Sequence, residues 1–148
     1  VLFRSLSMIY VVVQFACIIY LAINAQLANF SFLSYFLILL SAVVGGVAII
    51  NMRPGNLNIV PTLKDKHQLV TIGIYTYIRH PMYSSVLLFC LALMLSNAHL
   101  IAQLVMLVLL VDLILKSSLE EKLLLNRFDQ YQNYKKNTGR FLPKPLNK

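Results

Sequence analysis

Two short stretches carry most of the residues able to do chemistry. The first, His67 to Tyr83, reads HQLVTIGIYTYIRHPMY; it is polar, rich in aromatics and closes on Arg79-His80-Pro81. A proline directly before a long apolar run belongs at the first position of a helix, where its missing N–H costs nothing. His80 then stands at the N-cap, and the free N–H groups of the first turn, flanked by Arg and His, offer a place for a carboxylate or phosphate. In the second stretch Asp112, Lys116 and Glu120 recur every four residues along one helical stripe, with Glu121 about a quarter turn away. That stripe has two readings. It is a weak, solvated ladder of i,i+4 ion pairs, or it is a set of ionisable groups kept close to lipid, where they are expensive and functional by default. The expectation is that the two stretches form the two halves of one ligand pocket at a membrane surface.

Elements that could position them follow from composition. Of 148 residues, 59% are hydrophobic and only 12% charged, with a mean hydropathy of +0.73, which excludes an ordinary soluble domain. The expected class is all-α: a polytopic membrane bundle of about four transmembrane helices, with the pocket built by the loop before helix 3 and the C-terminal helix. Residues 8–28 and 30–50 are each about one bilayer crossing. Residues 82–96 and 99–116 are shorter apolar runs, and LKSSLEEKLLLNRF continues the last helix without a breaker. Between them residues 51–81, punctuated by Pro54-Gly55 and Pro61, read as a solvated segment, as does 117–148. The whole chain is one membrane domain. Ser41, Ala42, Gly45 and Gly46 put small residues four apart, a packing face within the chain or between copies in a homo-oligomer. Residues 1–5, VLFRS, lack an initiator Met and match the translated end of a common sequencing adapter; they are read as non-native, which leaves room for a further helix ahead of them.

The cations set the orientation. Arg53, Lys64, Lys66 and Arg79 fall in the 51–81 loop and eight more in the tail, whereas the turns near Asn29 and Asn97 hold none of the 13 basic residues. The positive-inside rule puts the loop, the tail and both termini in the cytoplasm. A net charge of +8 does not argue for nucleic acid, because the cations flank membrane helices and form no aromatic-studded groove. Cys17 and Cys90 lie in apolar runs and are read as buried inert thiols, neither a disulfide nor metal ligands. His67 and His99 have a plain reading as solvated loop histidines. Phe128, Tyr131 and Tyr134, three apart, lie on one helical face, which an interfacial aromatic belt would explain equally well. Arg79 needs a partner so near lipid, and pairing with Glu121 is the expected one.

The order HxLVTxGxYxxxRHPxY, a helical hairpin, EExxL and then F…Y..Y…RFLP resembles the isoprenylcysteine carboxyl methyltransferase family, including its short prokaryotic members, from about Asn51 to Pro143. The resemblance implies an integral enzyme of the inner membrane that binds S-adenosylmethionine in a cytoplasmic pocket; a G-x-G-x-x-G stretch is absent, as that requires. It implies cofactor contacts at His67, Gln68, Leu69, Val70, Gly73, Tyr75, His80, Pro81, Met82, Tyr83 and Glu120. Lys116 stands where members that methylate a prenylated cysteine carry a substrate-contacting Arg, and Lys does not grip a carboxylate bidentately. Ser85 replaces a usual Gly, and Asp129 follows Phe128 where Gly or Pro is common. The implied acceptor is a lipophilic small molecule or a lipidated, membrane-presented group. A carboxylate acceptor is already ionised and needs no base; for an amine or hydroxyl, Glu121 is the candidate base, with Arg79 beside it. Two other classes stay open: an NADPH-dependent membrane reductase with related C-terminal helices, and a non-catalytic membrane assembly protein.

Overall fold

Long apolar runs of good helix formers become helices, and the polar breaks between them become turns. The computed structural model describes residues 2–52 and 69–144; His67 and Gln68 lie outside the described residues. The helices are α1 (Leu2–Asn24), α2 (Phe32–Met52), α3 (Pro81–Ser96), α4 (Leu100–Arg127) and α5 (Tyr131–Asn137), with short 3-10 turns at Leu27–Asn29 and Gly73–Thr76. Three of them, α1, α2 and α4, are long and apolar enough to cross a bilayer. With 16 residues α3 is only about 24 Å long, less than the roughly 30 Å hydrocarbon core. The 28 residues of α4 span about 42 Å, so its last turns extend beyond the hydrocarbon and carry Glu120 and Glu121 with them. Large apolar side chains cover the outside, among them Val12, Ile19, Phe36, Leu39 and Leu107. Such a belt is unstable in water and is satisfied by acyl chains; this is an integral membrane protein.

The bundle is two helix pairs, α1 on α4 and α2 on α3. Where they meet, Cys17 and Leu21 pack with Cys90, Leu93, Ala102, Leu109 and Leu113, and both cysteines are free and buried. In the α2–α3 seam Ser41 Oγ donates to the Ser85 carbonyl at 2.7 Å and Ser85 Oγ donates to the Ser41 carbonyl at 2.8 Å. A Cβ on Gly45 would sit 2.6 Å from Ser85 Oγ. Ser41 and Gly45 therefore serve packing inside the chain, while Ala42 and Gly46 face outward. Ser85 fills that seam by a reciprocal pair of hydroxyl-to-carbonyl bonds with Ser41.

The first two helices are displaced from the spans read off the sequence. α1 stops at Asn24, whose side chain folds back on the Tyr20 carbonyl at 2.9 Å. α2 starts at Phe32 because Ser31 Oγ accepts the Ser34 N–H at 3.3 Å, an N-cap bond. His99 is not a solvated histidine. It caps α4, its Nδ1–H donates to the Asn97 carbonyl at 3.1 Å, and Nε2 then accepts from the Tyr20 hydroxyl at 3.0 Å.

Candidate functional site

The polar end is built around the start of α3. Gly73 opens it with φ +60, and a Cβ there would lie 2.2 Å from Asn51 Oδ1, the atom that accepts the Ile74 N–H at 3.0 Å. Only glycine meets both demands, so Gly73 has a conformational reason to be there. The 3-10 turn then buries Tyr75, and the chain pairs with its own C-terminal segment in a parallel bridge, Ile78 with Gly139. Gly139 N–H donates to the Tyr77 carbonyl at 3.0 Å, Arg79 N–H to the Gly139 carbonyl at 2.8 Å, and His80 N–H to the Arg140 carbonyl at 3.0 Å.

His80 is the N-cap of α3 and Pro81 its first residue, as the sequence requires. The open anion cradle expected there is absent, however. Ser84 Oγ donates to the Phe141 carbonyl at 2.6 Å, and the Phe141 ring meets His80 and Tyr83 edge-on. The C-terminal segment covers the helix start, leaving His80 and Pro81 buried.

Side chains from α3 and α4 converge beneath that cover. Arg79 Nε donates to Glu121 Oε1 at 2.8 Å, and its Nη1 bonds the carbonyls of Lys135, at 3.0 Å, and Thr138. His80 Nε2 is 3.1 Å from the same Glu121 oxygen, while its Nδ1 lies 3.7 Å from Glu120 Oε2. Tyr83, stacked on His80, donates its hydroxyl to Glu120 Oε1. Glu121 is buried; its Oε2 makes no hydrogen bond among the described residues and is faced by Lys135 Nζ at 3.3 Å and Arg140 Nη2 at 3.8 Å. Four cationic or imidazole groups around one enclosed carboxylate make Glu121 a brace. It fixes Arg79 and His80, and through His80 the Glu120 carboxylate, whose side chain is the more exposed of the two.

The stripe on α4 is not a solvated ladder. Asp112 and Lys116 are 5% and 1% exposed. Lys116 Nζ donates to Gln14 Oε1 of α1 at 2.7 Å and stands 5.0 Å over the Tyr83 ring. The helix turns this face inward against α1, where lipid cannot solvate it.

Beside the charged cluster lies a cleft of about 280 Å³, part of it open to solvent, lined by Met52, Leu69, Val70, Tyr75, Arg79, Leu124, Tyr131 and Tyr134. Its enclosed part is only about 40 Å³. Tyr134 donates to the Tyr75 carbonyl at 2.6 Å. The Tyr131 hydroxyl is buried with no hydrogen-bond partner among the described residues. Burial pushes the phenols of Tyr75, Tyr131 and Tyr134 up, so all three remain protonated. Tyr131 and Tyr134 thus face the protein, and the aromatic-belt reading does not hold for them.

The structure thus gathers Leu69, Val70, Tyr75 and Arg79 at the cleft, and His80, Tyr83, Glu120 and Glu121 in the adjoining cluster. Lys116 lies deeper, Met82 is half-buried, and Gly73 belongs to the backbone turn. Sequence reasoning missed Tyr131 as an inward hydroxyl, Thr138 as a carbonyl partner of Arg79, and Gln14 as the partner of Lys116. Gln14 alone left a signal, a lone amide in an apolar run.

Compared with known proteins, residues 35–126 match the family model described as the isoprenylcysteine carboxyl methyltransferase (ICMT) family. No curated protein matches the chain.

Proposed function

The chain belongs to the isoprenylcysteine carboxyl methyltransferase family, and from that premise we propose that it transfers the methyl group of S-adenosylmethionine to a lipophilic, membrane-presented acceptor. The observation that carries the proposal is the meeting of the Leu69-Val70 segment with Tyr75, Arg79 and Tyr131 in one cleft, next to the Glu120 carboxylate held by His80 and Tyr83. The residues fit the cofactor. Leu69, Val70 and Tyr75 supply an apolar and aromatic wall for an adenine. The unpartnered Tyr131 hydroxyl is a buried donor awaiting an acceptor. Glu120 is an acceptor for ribose hydroxyls or an ammonium.

When bound, the cofactor supplies a methyl group on a positively charged sulfur. The chain's own part is to hold, orient and keep dry: Glu121 locks Arg79 and His80, His80 and Tyr83 aim Glu120, and the C-terminal cover with Phe141 shields the start of α3 from water. Orientation of this kind is worth on the order of 7 to 11 kcal/mol in well-aligned reactions. With α3 counted as a fourth crossing, this end and both termini lie on the cytoplasmic side of an inner membrane, an orientation that the cation distribution supports.

The test is binding of S-adenosylhomocysteine to the detergent-purified protein. Wild type binds it, and Glu120→Ala and His80→Ala weaken it at least tenfold; incubation with methyl-labelled cofactor and a membrane lipid extract then labels one lipophilic component. Binding of NADPH in place of S-adenosylhomocysteine, or of neither, overturns the proposal.

A further inference from the structure

The C-terminal segment that covers the start of α3 is held at a definite depth by bonds to two membrane helices. Arg140 Nη1 donates to the Ile114 carbonyl at 3.1 Å and to Ser118 Oγ at 2.9 Å, both on α4, and Ser84 Oγ of α3 donates to the Phe141 carbonyl at 2.6 Å. Counted from Leu100 at the far turn, Ile114 and Ser118 stand about 21 and 27 Å along α4, within the roughly 30 Å of a hydrocarbon core. The segment is therefore tied to the bundle at the edge of the acyl chains. On the same turn of α4 Ile114 and Leu115 belong to the exposed apolar belt, and Leu142, two residues past Arg140, is 78% exposed. A single exposed leucine needs no explanation in water; at this depth its surroundings are lipid.

Charge says which lipid. Lys144 Nζ donates to the Lys136 carbonyl at 2.7 Å, which brings two lysines to one corner of the cover. Both are exposed, and neither pairs with a carboxylate among the described residues. Glu120 and Glu121 are turned to His80, Tyr83 and Arg79, which leaves Asp129 as the one exposed acid among the described residues. Anionic headgroups attract such a corner, and the attraction grows with each Lys or Arg close to the surface. We propose that residues 142–144, together with Lys136, dock on anionic phospholipid of the surrounding membrane, with Leu142 in the upper acyl layer and the two ammonium groups on headgroup phosphates. Phe141, next in the chain, meets His80 and Tyr83 edge-on, so the lipid contact holds the cover down on the start of α3. This rests on the membrane bundle alone and stands whichever cofactor the cleft takes.

The chain has no tryptophan, so Leu142→Trp supplies a single reporter at the exposed position. It is placed in nanodiscs of phosphatidylcholine, alone or with an equal part of phosphatidylglycerol, with bromine on the acyl chains as quencher. The expected result is blue-shifted, quenched emission with phosphatidylglycerol. In wild type, chymotryptic cleavage after Phe141 is expected to be about fivefold or more slower there than in phosphatidylcholine alone. Replacing both lysines, Lys136→Gln with Lys144→Gln, removes that difference, as does high salt. Emission of a water-exposed indole in both kinds of disc overturns the proposal. So does a cleavage rate indifferent to the lipid, or a lipid dependence undiminished in the double variant. Inorganic phosphate added to phosphatidylcholine discs leaves cleavage unchanged; protection equal to that of the anionic lipid would identify a soluble-anion site and overturn the assignment to lipid. Where a variant does not fold, the wild-type cleavage rates in the two discs and with phosphate decide alone.

Discussion

The two ends of the bundle are held together by opposite means. At the far turn every tie is neutral: Tyr20 to His99 at 3.0 Å, Asn97 Nδ2 to the Asn24 carbonyl at 2.9 Å, and Gln26 N–H to Ser96 Oγ at 3.0 Å. From Ser5 to Met52 there is no Asp, Glu, Lys or Arg at all. At the other end Arg79, His80, Glu120, Glu121, Lys135 and Arg140 crowd around the start of α3. The same kind of helix hairpin is closed at the far end by amides and hydroxyls bonding to backbone. Ions are thus not needed to join these helices, and a buried ion pair is weak evidence for stability. Joining the helices therefore does not explain the charged end, and its internal pairing is what lets the fold tolerate it.

Mutations sharpen that contrast. The largest loss is expected for Glu121→Ala, which leaves Arg79 and His80 buried without their shared carboxylate; breaking a buried pair in this way costs about 3–5 kcal/mol. Thermal unfolding in detergent measures it, and a cost near zero would remove the brace assigned to Glu121. Gly139→Ala comes next, because the new Cβ would fall 1.7 Å from the Leu142 carbonyl oxygen and force the C-terminal segment away from Ile78. Strain of that type costs about 1–3 kcal/mol, and limited proteolysis should then cut the segment after Asn137 faster than in wild type. The smallest effect belongs to Tyr20→Phe, which removes one neutral hydrogen bond at the far turn, about 0.5–1.5 kcal/mol. S-adenosylhomocysteine affinity should not change. If Tyr20→Phe proves as costly as Glu121→Ala, the contrast between the two ends is wrong.

Much of the charged end was legible in the sequence. Proline before an apolar run gave the N-cap at His80, the need of Arg79 for a counter-ion gave Glu121, and the absence of a breaker after Leu115 carried α4 through Arg127. The burial of Asp112 and Lys116 was not legible, since spacing along one helix does not say which neighbour covers the stripe; that depended on α1 bringing Gln14 alongside. Nor was the cover over α3, because a bridge of one residue pair has no periodicity to detect. The shifted ends of α1 and α2 arose from side chains of Asn24 and Ser31 bonding to nearby backbone, which hydropathy does not register.

Because Gly139 pairs with Ile78, the order in which the polypeptide is made matters. Among the described residues every membrane helix precedes residue 139, so all of them are synthesised before the segment that roofs the third one exists. During that interval His80 and the first turn of α3 stand uncovered, and the nascent bundle is a finished hydrophobic scaffold with an unfinished polar end. A fusion or cut that delays or removes the segment around Gly139 would hold the protein at this stage, inserted yet with the start of α3 open.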